Sequence, residues 1–138
     1  MPLSIKIPEL ILQENAALCL REHLARLKIE NPLVITDQGL VKTGHVTRIL
    51  QAFGTRRPPA CFDLTRENPT ARCVDLATKM YIAEKCDAVI ALGGGSVIDT
   101  AKLTAVTGTH GGLAIDYLGK SHLITHKTSP IIAIPTTA

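Results

Sequence analysis

The residues of this chain that could do chemistry gather behind one apolar run. Ala88-Val89-Ile90-Ala91-Leu92 leads directly into Gly93-Gly94-Gly95-Ser96, and a helical pattern from Val97 to Val106 follows. A strand, a glycine loop and a helix in that order suit a bound anion. Glycines let a pyrophosphate approach the backbone, while the free amides and positive dipole end of the next helix favour anionic oxygens. Gly94 and Gly95 would form the cradle. Ser96 is placed either to cap the helix or to donate its hydroxyl to a phosphate, and Asp99 either to complement the helix dipole or to orient the loop. The competing reading is a tight strand-to-helix turn that binds nothing, since short glycine motifs recur by chance.

Two better-defined phosphate loops are excluded. No Gly-Lys-Ser/Thr closes the motif, and Ile98 stands where a Rossmann fingerprint has its third glycine. The acid expected about 20 residues beyond such a loop is also missing. Asp37 is the alternative acid, but it closes an earlier strand. There it could accept hydrogen bonds from a ribose or cap the helix that follows.

The remaining reactive side chains read more plainly. His122 and His126 have the spacing of a helical metal pair, but Leu123-Ile124-Thr125 is a poor helix and no carboxylate lies nearby, which favours a solvated loop. His23 belongs on an exposed helix face, and His45 and His110 have no visible partners. Cys19, Cys61, Cys73 and Cys86 lack activating neighbours and read as core fillers. Arg56-Arg57 is a solvated pair, and Tyr117 is expected to pack under a long connection.

The elements that must position these groups follow from hydrophobic spacing. Leu3 to Leu12 suits extended edge structure, and Ala17, Leu20, Leu24 and Leu27 form the apolar stripe of a helix ended by Asn31-Pro32. Leu33 to Thr36 is a strand, Val41 to Phe53 a helix, and Ala60 to Leu64 a short strand after the breaker Gly54 to Pro59. Thr70 caps a helix running to Lys85. After an irregular stretch from Gly108 to Thr128, Pro130 to Ile134 is a last buried strand. Strands apolar on both faces and separated by helices imply a Rossmann-like α/β fold, a parallel sheet flanked by helices.

Composition narrows the classes of function. The chain has 138 residues, a formal net charge of +3 and 46% apolar residues, enough for one domain with a real core. Its four large aromatics, Phe53, Phe62, Tyr81 and Tyr117, and its scattered basic residues argue against nucleic acid. No Cys-x-x-Cys occurs, and no run approaches the roughly 20 apolar residues that span a bilayer. A reduced, cytoplasmic protein with no membrane partner is the expectation.

Four motifs carry a family resemblance. Thr36-Asp37-Gln38-Gly39-Leu40, Phe62-Asp63 with Asn68-Pro69-Thr70, the run Gly93 to Lys102, and Ala133-Ile134-Pro135-Thr136-Thr137-Ala138 resemble the successive N-terminal motifs of iron-containing alcohol dehydrogenases. The resemblance spans nearly the whole chain. It implies an N-terminal dinucleotide-binding α/β domain over residues 1–138, incomplete at its C-terminal end, without the all-helical metal-binding domain of the family. In that family the implied activity is reversible hydride transfer between NAD and a small alcohol or aldehyde. By the same resemblance Asp37 would hold the adenosine ribose and disfavour NADP, and Asn68 would contact the nucleotide. Gly94, Gly95, Ser96 and Asp99 would cradle the pyrophosphate, Thr136 and Thr137 would line the cleft, and Lys102 would face solvent.

The departures set further expectations. Gln13-Glu14-Asn15 stands where the family has a glycine-containing turn. The family's iron or other divalent metal is held by one aspartate and three histidines of the helical domain, so no catalytic or metal-binding residue is expected here. The chain would supply only the cofactor-binding part of an active parent enzyme; the alternatives are a truncated, non-catalytic remnant or a glycerol-dehydrogenase-like relative. Ser96, where that relative would carry lysine, favours the alcohol dehydrogenases. A last strand with little beyond it predicts exposed apolar surface and self-association.

Overall fold

The computed structural model describes residues 20–53, 58–65, 70–117 and 128–136. Their elements are α1 (Leu20–Arg26), β1 (Pro32–Ile35), α2 (Gln38–Thr43), α3 (His45–Ala52), β2 (Ala60–Phe62), α4 (Ala71–Ala83), β3 (Ala88–Gly93), α5 (Gly95–His110), a 3-10 turn (Ala114–Asp116) and β4 (Ile131–Pro135). The sheet has the order β2-β1-β3-β4, and every pairing is parallel. The result is the α/β, Rossmann-like fold that the apolar strands imply. Among the described residues no helix is long and apolar enough to cross a membrane.

Strand alternation divides the core in two. Leu33, Ile35, Val89 and Ala91 point to one face, where Ala77 and Tyr81 of α4 and Val97, Ala101 and Ala105 of α5 cover them. Val34, Ala88, Ile90 and Leu92 point to the other, against Leu20 and Leu24 of α1, Ile29, and Val46 and Ile49 of α3. All residues of β1 and β3 are buried, which is why these segments show no polar alternation in sequence. β4 differs from the buried strand expected there. Among the described residues it is the outer strand, with one neighbour; Ile132 and Ile134 pack inward, while Ile131 is 38% exposed.

Helix ends account for the other departures from the sequence reading. The helix expected over 41–53 is two, α2 and α3, because Gly44 between them adopts φ +83° and turns the chain. The helix expected to reach Lys85 stops at Ala83: Lys85 takes φ +54°, and Cys86 N–H and Lys85 N–H donate to Tyr81 and Ile82 carbonyls. α1 ends the same way, with Lys28 at φ +58° and Ile29 N–H donating to Leu24 O at 2.9 Å. Both are Schellman motifs, in which a left-handed residue lets the last carbonyls be satisfied. α5 runs on to His110, past the expected end, since Gly108 lets the ring of Tyr81 lie against the helix; a Cβ there would sit 2.6 Å from Tyr81 Cδ1. The strand expected to reach Leu64 ends at Phe62.

Polar links fix the two central strands at both ends. At their start Asp87 accepts from Glu30 N–H at 2.8 Å and Asn31 N–H at 2.9 Å, and Asn31 Nδ2 donates to Glu84 O. At their end the fully buried Thr36 hydroxyl donates to Leu92 O at 2.8 Å. The chain then leaves β3 through Gly93, whose φ of +153° only glycine adopts without strain. A Cβ there would lie 2.7 Å from Val97 Cγ2 and 3.3 Å from Leu40 Cδ1.

The cysteines behave as filler. Cys73 is buried, and Cys61 and Cys86 are partly buried against the core. Burial, with Asp63 beside Cys61 and with Glu84 and Asp87 beside Cys86, pushes both thiols up to about 11 from 9.0. Cys19, the extended reading of Leu3 to Leu12, the Gln13-Glu14-Asn15 departure and the Arg56-Arg57 pair lie outside the described residues.

Two measurements follow from this packing. Gly93→Ala is expected to lower stability by about 2–4 kcal/mol, from backbone strain and overpacking together, read as a lower urea midpoint with an unchanged slope. Because the thiolate is the reactive form, raised thiol pKa values mean that Cys61 and Cys86 in the native chain alkylate about 100-fold more slowly at pH 8 than in urea, with the rate recovering only as pH climbs toward 11. Site-resolved mass spectrometry reads this directly; equal rates in both states would contradict the burial.

Candidate functional site

In a parallel sheet all carboxyl ends share one edge, so the residues that follow each strand converge there. The chain leaves β1 toward β2 on one side, and leaves β3 toward β4 on the other. Adjacent strands whose connections diverge leave a crevice between their carboxyl ends, the usual ligand position in open α/β sheets. Thr36-Asp37 and Gly93-Gly94-Gly95 meet at this crevice, held together by the Thr36 to Leu92 bond. Asp63 to Thr65 flank it beyond β2, and Thr136 flanks it beyond β4.

Further hydrogen bonds lock the rim. Thr36 N–H donates to Phe62 O at 2.9 Å, and Asp37 forms an antiparallel bridge with Leu64. Thr136 N–H donates to Gly93 O at 3.1 Å, which fixes the end of β4 beside the glycine loop. Asp37, half-buried, caps α2: its Oδ1 accepts from Leu40 N–H at 2.8 Å. Among the described residues its Oδ2 has no hydrogen-bond partner, so capping and ligand binding are compatible in one carboxylate.

The loop itself splits into a structural glycine and two open ones. Gly93 is required by its backbone, whereas a Cβ on Gly94 or Gly95 would meet nothing within 4 Å. Gly94 is the N-cap of α5 and makes no side-chain cap bond, which corrects the reading of Ser96 as the cap; Ser96 is the second residue of the helix. The first-turn amides of α5 thus begin at an unobstructed backbone on the strand edge, the arrangement that accommodates an anionic group.

Not every expected residue joins this rim. Asp99 is exposed and lies one turn into α5, past the first turn where it was expected. It lines a shallow depression between α4 and α5 with Thr70, Val74 and Leu103. Lys102 is exposed, as expected. Asn68 and Thr137 lie outside the described residues. Sequence reasoning passed over Thr36, Gly93, Leu64 and Thr65. A threonine closing a buried strand two strands ahead of a glycine loop was the available signal for the first; the bridge of Leu64 to Asp37 had none.

Among the described residues the histidines form no cluster. His45 is exposed and His23 half-buried rather than fully on the surface. His110, expected to lack partners, places Nε2 3.4 Å from Thr128 Oγ1 and its ring 6.5 Å from that of Tyr117. Tyr117 in turn donates to Gly111 O at 2.6 Å. His122 and His126 lie outside the described residues. Among the described residues no three His, Cys, Asp or Glu side chains come together to hold a metal ion.

Known proteins bear on this geometry. Residues 8–138 match the sequence profile of the iron-containing alcohol dehydrogenases. The chain is 39% identical to 4-hydroxybutyrate dehydrogenase of Cupriavidus necator over 90% of its own length and 33% of that protein's. It is 34% identical to choline dehydrogenase of Bacillus subtilis strain 168, covering 85% of this chain and 30% of the other. Among solved structures, sulfoacetaldehyde reductase of Bifidobacterium kashiwanohense in complex with NAD+ superposes with a TM-score of 0.83 at 26% identity, over 91% of this chain and 33% of that one. The chain spans about a third of the length of the curated relatives it matches. On this match it belongs to the iron-containing alcohol dehydrogenase family.

Proposed function

We propose that the chain binds NAD at the carboxyl ends of β1 and β3, as the cofactor-binding part of an oxidoreductase acting on small alcohols or aldehydes. The observation that carries this reading is the open backbone of Gly94 and Gly95 at the start of a 16-residue helix, joined to Asp37 across two strands that Thr36 ties together. A dinucleotide presents two chemistries to such a rim. Its pyrophosphate is anionic, and the partial positive charge at the start of α5 favours it. Its ribose offers hydroxyl donors, for which a carboxylate with one oxygen uncommitted is the fitting acceptor.

Each residue then has a task. Gly94 and Gly95 admit the pyrophosphate, and the Ser96 hydroxyl donates to it. Asp37 accepts from the adenosine ribose through Oδ2 and repels a 2′-phosphate, which favours NAD over NADP. Thr136 lines the cleft from β4, and the family resemblance gives Asn68 and Thr137, outside the described residues, nucleotide-binding roles as well. NAD supplies the hydride acceptor, and the residues described here bind and orient it. By the family resemblance, the metal that activates the alcohol would be held by residues of a separate helical domain. That relatives of known activity are about three times as long supports this division of labour.

Two variants separate the roles by calorimetric titration. Asparagine caps helices as well as aspartate does, so Asp37→Asn is expected to hold its stability within about 0.5 kcal/mol. Its NAD affinity is expected to fall about tenfold or more, from loss of a charge-assisted bond, and its preference for NAD over NADP to relax. Unchanged NAD affinity would remove Asp37 from the site. Gly94→Ala has room and an accessible backbone (φ −87°, ψ −165°), so folding is expected to be intact while NAD binding weakens about tenfold as the methyl meets the phosphate. A variant that binds as well as the native chain would place the pyrophosphate elsewhere.

A further inference from the structure

One polar atom on the crevice rim is unexplained by the fold. Thr65, just past β2, is 93% buried, with a relative exposure of 7%, and its Oγ1 is shut off from solvent with no hydrogen-bond partner among the described residues. Its neighbours are well satisfied by contrast. Leu64 bridges Asp37, and Leu64 O accepts from Cys73 Sγ; Thr70 Oγ1 caps Cys73 N–H. Thr36, Thr78, Thr100, Thr104 and Thr107 all donate their hydroxyls to backbone carbonyls. A buried hydroxyl left without a partner destabilises the fold, whereas valine would fill the same volume without that cost.

Its position suggests what the hydroxyl serves. Thr65 follows the residue that pairs with Asp37, so it shares the rim between β1 and β2 that, on the NAD reading, receives the adenosine end of the dinucleotide. The residue keeps a little exposed surface although Oγ1 has none. One step between staggered χ1 rotamers exchanges the hydroxyl with another Cβ substituent and leaves the backbone in place. We propose that Thr65 is an adenosine-side specificity residue, whose hydroxyl turns to hydrogen-bond the bound nucleoside beside Asp37.

This inference rests on the NAD reading, and the test keeps the two apart. The full chain, Thr65→Val, Thr65→Ala, Thr65→Ser and Asp37→Asn are titrated with NAD, ADP-ribose and nicotinamide mononucleotide, and melted without ligand. Thr65→Val is expected to melt no lower than the native chain and to bind NAD and ADP-ribose about fivefold to tenfold more weakly, with Thr65→Ala equally weak. Thr65→Ser keeps the hydroxyl and stays within about twofold of the native affinity. Nicotinamide mononucleotide, which lacks the adenosine, is indifferent to all the Thr65 substitutions. If Thr65→Val binds ADP-ribose as the native chain does while Asp37→Asn is weakened, the NAD site stands and the role of Thr65 is overturned. A lower melting point with unchanged affinity overturns it as well, since the hydroxyl then serves a buried water. No binding of NAD or ADP-ribose to the native chain overturns both readings together.

Discussion

The structure depends on the pairing of β1 with β3. These two strands are buried on both faces, and everything else is arranged by the need to cover them: α1 and α3 on one side, α4 and α5 on the other. Because the chain departs from them in opposite directions, no connection among the described residues closes over the gap between their carboxyl ends. A crevice there is a consequence of topology before any side chain is chosen. What the side chains add is rigidity. The Asp87 contacts at one end and the Thr36 hydroxyl at the other tie the pair together at both ends.

Asp37 shows how one group can satisfy local structure and remain available. A helix start needs an acceptor for an early amide, and Oδ1 supplies it. The same bond fixes the carboxylate's orientation, so the second oxygen is presented without the entropy cost of ordering a free side chain. The antiparallel bridge to Leu64 holds the backbone of Asp37 from the other side. Capping therefore does not exclude a ribose contact at this carboxylate.

Much of this was legible in the residues because the signals were local. The apolar runs at Leu33 and Ala88 could only be buried strands, and Thr70 sat where a helix needs a cap. The glycine loop stood out by its place between a buried strand and a helix. What escaped was set by tertiary contact. Val41 to Phe53 keeps helical spacing on both sides of Gly44, so spacing alone could not reveal the break. Gly108 looked like a helix stop, and became an interior position because Tyr81 comes from another helix to lie on it. Lys28 and Lys85 carry left-handed turns with no glycine to announce them. The buried reading of β4 failed because edge position belongs to the sheet and not to the strand's own sequence. At the candidate site, Ser96 was misplaced by two residues of helix boundary, and Thr36 was hidden because its partner is a carbonyl far away in sequence.

The three adjacent glycines separate stability from binding. Gly93 has a backbone no other residue adopts comfortably and neighbours that leave no room for a Cβ, so its demand comes from the fold. Gly94 and Gly95 have ordinary freedom and empty space around them, and the fold alone would accept a side chain at either. Alanine at Gly95 would even favour the helix that begins there. Bare backbone kept at two positions where folding does not ask for it points to something that must come close from outside. With the first turn of α5 beside it, the visitor that gains most is an anion. The pyrophosphate assignment therefore rests on the contrast between neighbouring glycines more than on their number, which a tight turn could match by chance.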